Sequence, residues 1–187
     1  MRISKTQAKE NRDRVLRAAS KLFRAKGFDG VAVNDLMEAA GFTHGGFYNH
    51  FRSKNALAAE ALQSAWAEMA EERTRARNLE ELLVRYLSHA ARQAPAKSCP
   101  AAALAGDVGR QPAAVKAVFA RGLEDMIQSV AASLPPTADF SARDRAVNMV
   151  ARMVGALMLS RAVPDSSPLA DELLDANLRG AQRELSP

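Results

Sequence analysis

The sequence holds one cysteine, Cys99, in 187 residues, and aromatic side chains make up only 5% of it. A lone thiol excludes an internal disulfide framework and a cysteine-rich zinc site, and it fits a reducing compartment. The three histidines, His44, His50 and His89, are too scattered for any familiar ligand spacing, so neither a metal nor a cofactor is expected. No stretch approaches 18 uninterrupted apolar residues, which argues against a membrane-spanning helix. Charges within the first five residues, with no apolar run behind them, argue against a secretory leader. The expected location is the cytoplasm. With few aromatics and many alanines and leucines, the core should consist of helices packed closely through small side chains.

Charge is the first positive feature. Residues 1–60 hold 11 Lys and Arg against 6 Asp and Glu, whereas residues 61–187 hold 15 of each. The net charge of +5 therefore resides entirely in the first third of the chain. Such a local basic surface is the footprint of a partner rich in phosphate, either nucleic acid or an anionic membrane, or else a solvated basic tail.

Helical periodicity runs through the chain, and no segment alternates like a strand. Val15, Leu16, Ala19, Leu22 and Phe23 give one apolar face to a helix over 11–26, with Arg14, Arg17, Lys21 and Arg24 expected on the other, and Gly27 stops it. A second helix over 33–40 ends at Gly41. Thr43 is placed to cap a third, short one carrying Phe47, Tyr48 and Phe51. Further helices are expected over 54–76, 78–93, 100–108, 113–134, 142–162 and 168–183, punctuated by Ser53, Pro95, Pro112, Pro135-Pro136, Ser141 and Pro164. The fold class is all-α. Two short helices joined by a tight glycine turn behind a supporting first helix make a helix-turn-helix unit. The expected organisation is a three-helix domain over residues 1–53 followed by a helical domain over 54–187.

A helix entering the major groove needs small residues where backbone meets DNA and polar groups for phosphates. Thr43 offers a hydroxyl, Gly45 and Gly46 permit close approach, Tyr48 and His50 can reach phosphates, and Lys54 adds charge at the start of the next helix. Phe47 and Phe51, four apart, should face the core. His44 and Asn49 remain as candidates for base edges.

The segment Ala39-Ala-Gly-Phe-Thr-His-Gly-Gly-Phe-Tyr-Asn-His-Phe-Arg-Ser-Lys-Asn-Ala-Leu57, behind a helix ending Leu-Phe-x-x-x-Gly, resembles the DNA-binding domain of the TetR family of bacterial transcriptional regulators. The likeness is specific over about residues 11–60; the rest agrees in length and helical make-up alone. It implies an all-helical homodimer that reads double-stranded operator DNA with one domain and binds a small-molecule effector with the other. It also implies dimerisation through the last two helices and a backbone-contacting role for Tyr48, His50 and Lys54. Where the family usually carries hydroxyl residues this chain has Val31-Ala32, so the cap and phosphate contact of the second helix would fall to Asn34.

An effector pocket among the helices between 54 and 134 would draw on Leu83, Tyr86, Leu87, Cys99, Leu104, Phe119 and Met126, although an apolar stripe at this spacing far more often serves as core. Val150, Val154, Leu157, Leu169 and Leu173 are the expected dimer contacts, with Gly155 and Ala156 permitting close packing. Pro100 at a first helical position puts Cys99 at the cap, where Lys97 and the helix terminus would favour a thiolate. That thiol is either a redox or electrophile sensor or simply packed. The leading expectation is a ligand-responsive repressor rather than an enzyme, released from a near-palindromic operator by a small molecule or by modification of Cys99. The competing classes are a thiol-dependent enzyme using Cys99, for which His89 is the only distant base, and a helical interaction protein without specific DNA binding.

Overall fold

The computed structural model describes residues 4–137 and 140–185, and among these every regular element is helical. Nine α-helices follow in order: α1 Lys5–Lys26, α2 Val33–Ala39, α3 Lys54–Arg75, α4 Leu79–Tyr86, α5 His89–Gln93, α6 Pro100–Val108, α7 Ala113–Ser133, α8 Ala142–Ala162 and α9 Leu169–Leu185. A 3-10 helix, His44–Asn49, lies between α2 and α3, and a 3-10 turn, Pro95–Lys97, precedes α6. No helix of the described residues is long and apolar enough to cross a membrane.

Caps account for most boundaries. The Ser4 hydroxyl accepts the Gln7 N–H at 3.1 Å, so α1 begins six residues before the expected position 11. It ends at Gly27, whose φ of +75° is left-handed territory that a side chain resists. Ser53 and Asn78 cap α3 and α4 in the same way, accepting the N–H groups of Ala56 and Glu81. The single helix expected over 78–93 is two. Leu87 leaves the helical region (φ −94°, ψ 39°), and Ser88 starts α5 afresh by accepting the Ala91 N–H at 3.0 Å.

Helix α1 packs along α3, and α3 continues onto α7; α7 packs on α8, and α8 on α9. Phe23, Phe28, Leu36, Met37, Phe47 and Leu57 fill the N-terminal end of the core, and Leu83, Leu104, Met126, Met149 and Met153 the other. Gly122 on α7 is required by the Trp66 indole of α3: a Cβ there would stand 2.3 Å from the ring. Trp66 is further wedged against Phe119, with ring centroids 5.9 Å apart. On α8, Val147 and Leu159 lie at helical spacing from the apolar stripe yet are exposed, Leu159 by 56%. The helix presents its inner stripe through Ala146, Met149, Val150, Met153, Ala156 and Leu157 instead.

Replacing glycine by alanine in a helix ordinarily stabilises it by about 0.8–1.0 kcal/mol. Overpacking against a buried indole costs about 1–3 kcal/mol or more. Gly122→Ala should therefore lower the urea midpoint with an unchanged slope, despite the better helix former. Equal or higher stability would show that the α3–α7 contact yields without cost.

Candidate nucleic-acid interface and interior cavity

The recognition segment is a 3-10 helix rather than an α-helix. Two glycines among six residues disfavour the α form, and the segment rests on aromatic packing instead. Phe47 is fully buried and Phe51 nearly so, their ring centroids 5.8 Å apart. Tyr48 stands edge-on to Phe47 at 5.2 Å and 90°, yet is 69% exposed. The phenol is thus held from beneath and presented to solvent. Thr43, His44, Gly45 and Asn49 are exposed beside it. His50 is half-buried between Phe42 and Phe51, and Lys54 is half-buried in the first turn of α3. An added Cβ at Gly45 would meet nothing within 4 Å, so its backbone is open on that side.

Two capping expectations are corrected. Thr43 occupies the position before the 3-10 helix, but its side chain makes no capping bond. Asn34 does not cap α2; the Asp35 carboxylate takes that place by accepting the Ala32 N–H at 2.9 Å. An acidic residue three places after the cap was the available signal. The turn itself rests on α1. Arg14 donates to the Ala40 carbonyl at 2.8 Å and lies over the Phe42 ring at 4.7 Å, while Arg12 lies over Phe51 and pairs with Glu60. Gly41, with φ +77°, supplies the left-handed residue between the two short helices.

Behind this unit lies a cavity of about 590 Å³. Its apolar wall includes Met69, Leu82, Tyr86 and Leu157; Lys21 and Arg24 come from α1, and Lys97, Ser98 and Cys99 from the approach to α6. Of the residues expected to line a pocket, Tyr86 and Cys99 do. Leu83, Leu87, Leu104 and Met126 are packed core away from it, and Phe119 lies against Trp66. Cys99 stands at the cap of α6 as expected but is only 2% exposed, with its Sγ 4.0 Å from Met126 Sδ.

Arg24, expected on the solvent side of α1, is buried. Its guanidinium donates to the Ser20 carbonyl at 3.1 Å and the Ser20 Oγ at 3.0 Å, to the Ser98 carbonyl at 3.2 Å, and pairs with Glu68 at 2.5 Å. No local signal marks this, because the burial is produced by α6 and the 3-10 turn docking on a second side of α1. The Tyr86 hydroxyl is buried without a hydrogen-bond partner among the described residues. Burial above all, and then the facing Cys99 thiol, push its pKa well above the usual phenol value. Arg161 is held down by burial while it donates to the carbonyls of Ala91, Arg92 and Ala102.

The expected dimer contacts divide. Val150 and Leu157 are buried within the subunit and are unavailable to a partner, because α8 turns that stripe onto its own core. Val154 and Leu173 are half-buried, and Leu169 is exposed.

Residues 15–61 match the family described as bacterial regulatory proteins, tetR family. The chain is 40% identical over 58 residues to the uncharacterized HTH-type transcriptional regulator YdgC of Bacillus subtilis, covering 31% of this chain and 30% of that protein. It is 34% identical over 73 residues to the HTH-type transcriptional repressor DhaR of Mycobacterium sp., covering 39% and 36%. The matches thus span about a third of these curated relatives. The fold extends much further: the reduced form of E. coli NemR superimposes with a TM-score of 0.78 over 95% of this chain and 97% of its own, at 18% identity. A TetR-family regulator from Agrobacterium tumefaciens does so at 0.76 over 96% and 100%, at 20% identity. The helix-turn-helix segment thus matches that of the bacterial tetR regulatory proteins, and the helical frame of the whole chain is shared with solved structures of that fold.

Proposed function

We propose that this protein is a DNA-binding transcriptional repressor that leaves a near-palindromic operator when a small molecule occupies the cavity. The observation that carries the reading is the recognition segment: a polar, exposed face of Thr43, His44, Tyr48 and Asn49 held rigidly on buried Phe47 and Phe51. Residues 1–53 are the DNA-binding domain in this reading, and 54–187 the effector-binding and dimerisation domain. The repressor DhaR, alike over the helix-turn-helix region, supports the same assignment. Thr43, Gly45, Gly46, Tyr48, His50 and Lys54 then serve the phosphate backbone, with Asn34 beside them on α2, while His44 and Asn49 read bases.

Two copies place their recognition segments in successive major grooves about 34–36 Å apart, and effector binding favours a dimer with the wrong spacing. The cavity is suited to this because α1 forms part of its wall. Cys99 lies on the same wall, so an adduct there would act on the same element; its burial makes non-covalent occupancy the favoured trigger. The dimer contact is assigned to α8 and α9, through exposed Val147, Leu159 and Leu169 with half-buried Val154 and Leu173.

Selection of genomic fragments should return an enriched inverted repeat. Tyr48→Phe and Lys54→Ala should weaken binding to all sequences, Lys54→Ala also lowering the salt slope by about one. His44→Ala and Asn49→Ala should instead shift the preferred base, at about 1–3 kcal/mol per position. Recovery of no motif overturns the reading. For the dimer, Leu159→Glu and Leu169→Glu together should give a folded monomer by light scattering. These side chains are exposed in the subunit, so the charges should leave its helicity intact. A persistent dimer would place the interface elsewhere.

A further inference from the structure

The cavity carries an imbalance of charge and one unsatisfied polar atom, and together these specify a ligand chemistry. Of the acidic groups on its wall, Glu68 is held by Arg24 and Glu72 by Arg75, which Glu71 also approaches at 3.9 Å, so that one guanidinium serves two carboxylates. Arg85 is held in turn by Glu81 at 2.5 Å. Lys21 and Lys97 remain, both exposed and neither making an ion pair or side-chain hydrogen bond among the described residues. One stands on α1 and the other in the 3-10 turn, which pack against each other. Met69, Leu82 and Leu157 make the wall apolar beside the buried Arg24, Ser98 and Cys99, and Tyr86, which also lines it, carries a buried hydroxyl. That hydroxyl lacks a partner, and a donor left without an acceptor in an apolar surrounding is destabilising until one arrives.

We propose that the cavity takes an amphiphilic organic anion: an apolar body with an acceptor oxygen for the Tyr86 hydroxyl and an anionic group for Lys21 and Lys97. This rests on the regulatory reading above and names its effector class. A neutral molecule of the same shape leaves both lysines to water, and a cation is repelled by them. The anionic group also meets α1 and the 3-10 turn together, so the ligand touches the helix that carries the DNA-binding unit without an intermediary.

Naproxen is a suitable probe, because it joins an aryl body, a methoxy oxygen and a carboxylate within a volume the cavity accommodates. Calorimetric titration of the full chain should rank naproxen first, its primary amide weaker by about fivefold or more, and the aminomethyl analogue weakest. The double variant Lys21→Gln, Lys97→Gln should bind acid and amide equally. Its melting temperature should be unchanged, since both side chains are exposed. Tyr86→Phe should weaken acid and amide alike while leaving their ratio. An amide that binds as well as the acid, a preference that survives the double substitution, or no binding of any of the three overturns the proposal. DNA retention measured in parallel keeps the two readings apart. Acid binding without DNA release sinks the regulatory reading and leaves the ligand chemistry standing; release by the amide and acid equally does the reverse.

Discussion

The buried guanidinium of Arg24 is the constraint on which the arrangement of this molecule turns. A charge removed from water must be paired and hydrogen-bonded, or the structure gives way around it. Arg24 meets that requirement with groups from three separated segments: Ser20 within α1, Ser98 at the approach to α6, and Glu68 on α3. The ion pair is the weaker part of this. The Glu68 side chain is 41% exposed, so water competes for it and its contribution is modest. The carbonyls of Ser20 and Ser98 belong to buried residues, and these bonds fix where α6 begins relative to α1.

The recognition segment shows the opposite strategy. Six residues of 3-10 helix with two glycines and no side-chain cap have no stability of their own. Its conformation is imposed from below by Phe47 and Phe51 and from the side by Arg14, which satisfies the Ala40 carbonyl and stacks on Phe42. Because packing supplies the order, the outward residues are released from any structural duty. Thr43 need not cap, and Asn49 and His44 need not pack, so that face can vary in chemistry while its shape stays fixed.

This difference also explains what the sequence disclosed. The helices, the glycine turn at Gly41 and the inward Phe47 and Phe51 were legible because each follows from spacing within a few residues. The start of α1 at Lys5 was missed because polar Gln7 and Asn11, which pair at 3.1 Å, give no apolar period. The break at Leu87 was hidden by an apolar stripe that runs through both short helices. The cavity was the least legible feature. Its wall is drawn from α1, α3, α4, α5, the 3-10 turn, the start of α6 and α8, so no single stretch carries its signature. Leu83 and Tyr86 are three apart on one helix, yet one is sealed in the core and the other borders the void. Likewise Leu157 and Leu159 on α8 are indistinguishable by type, and only the docking of neighbouring helices makes one core and the other surface.

The uneven charge acquires a second meaning in this light. The basic residues of α1 do not form one surface but divide along its length. Arg12 and Arg14 hold the recognition segment through Phe51, Phe42 and Ala40, whereas Lys21 and Arg24 border the cavity. Arg14 and Arg24 are ten residues apart, about 15 Å along a helix that is stiff over that distance. A group bound beside Lys21 therefore acts on the rod that bears the helix-turn-helix unit, and a rod cannot absorb a displacement at one end without moving the other. In the proposed repressor the link is equally open in reverse: a recognition segment seated on DNA would hold α1 in place, and through Arg24 the wall of the cavity. By thermodynamic reciprocity, whatever the cavity binds at the expense of DNA, DNA must disfavour to the same degree.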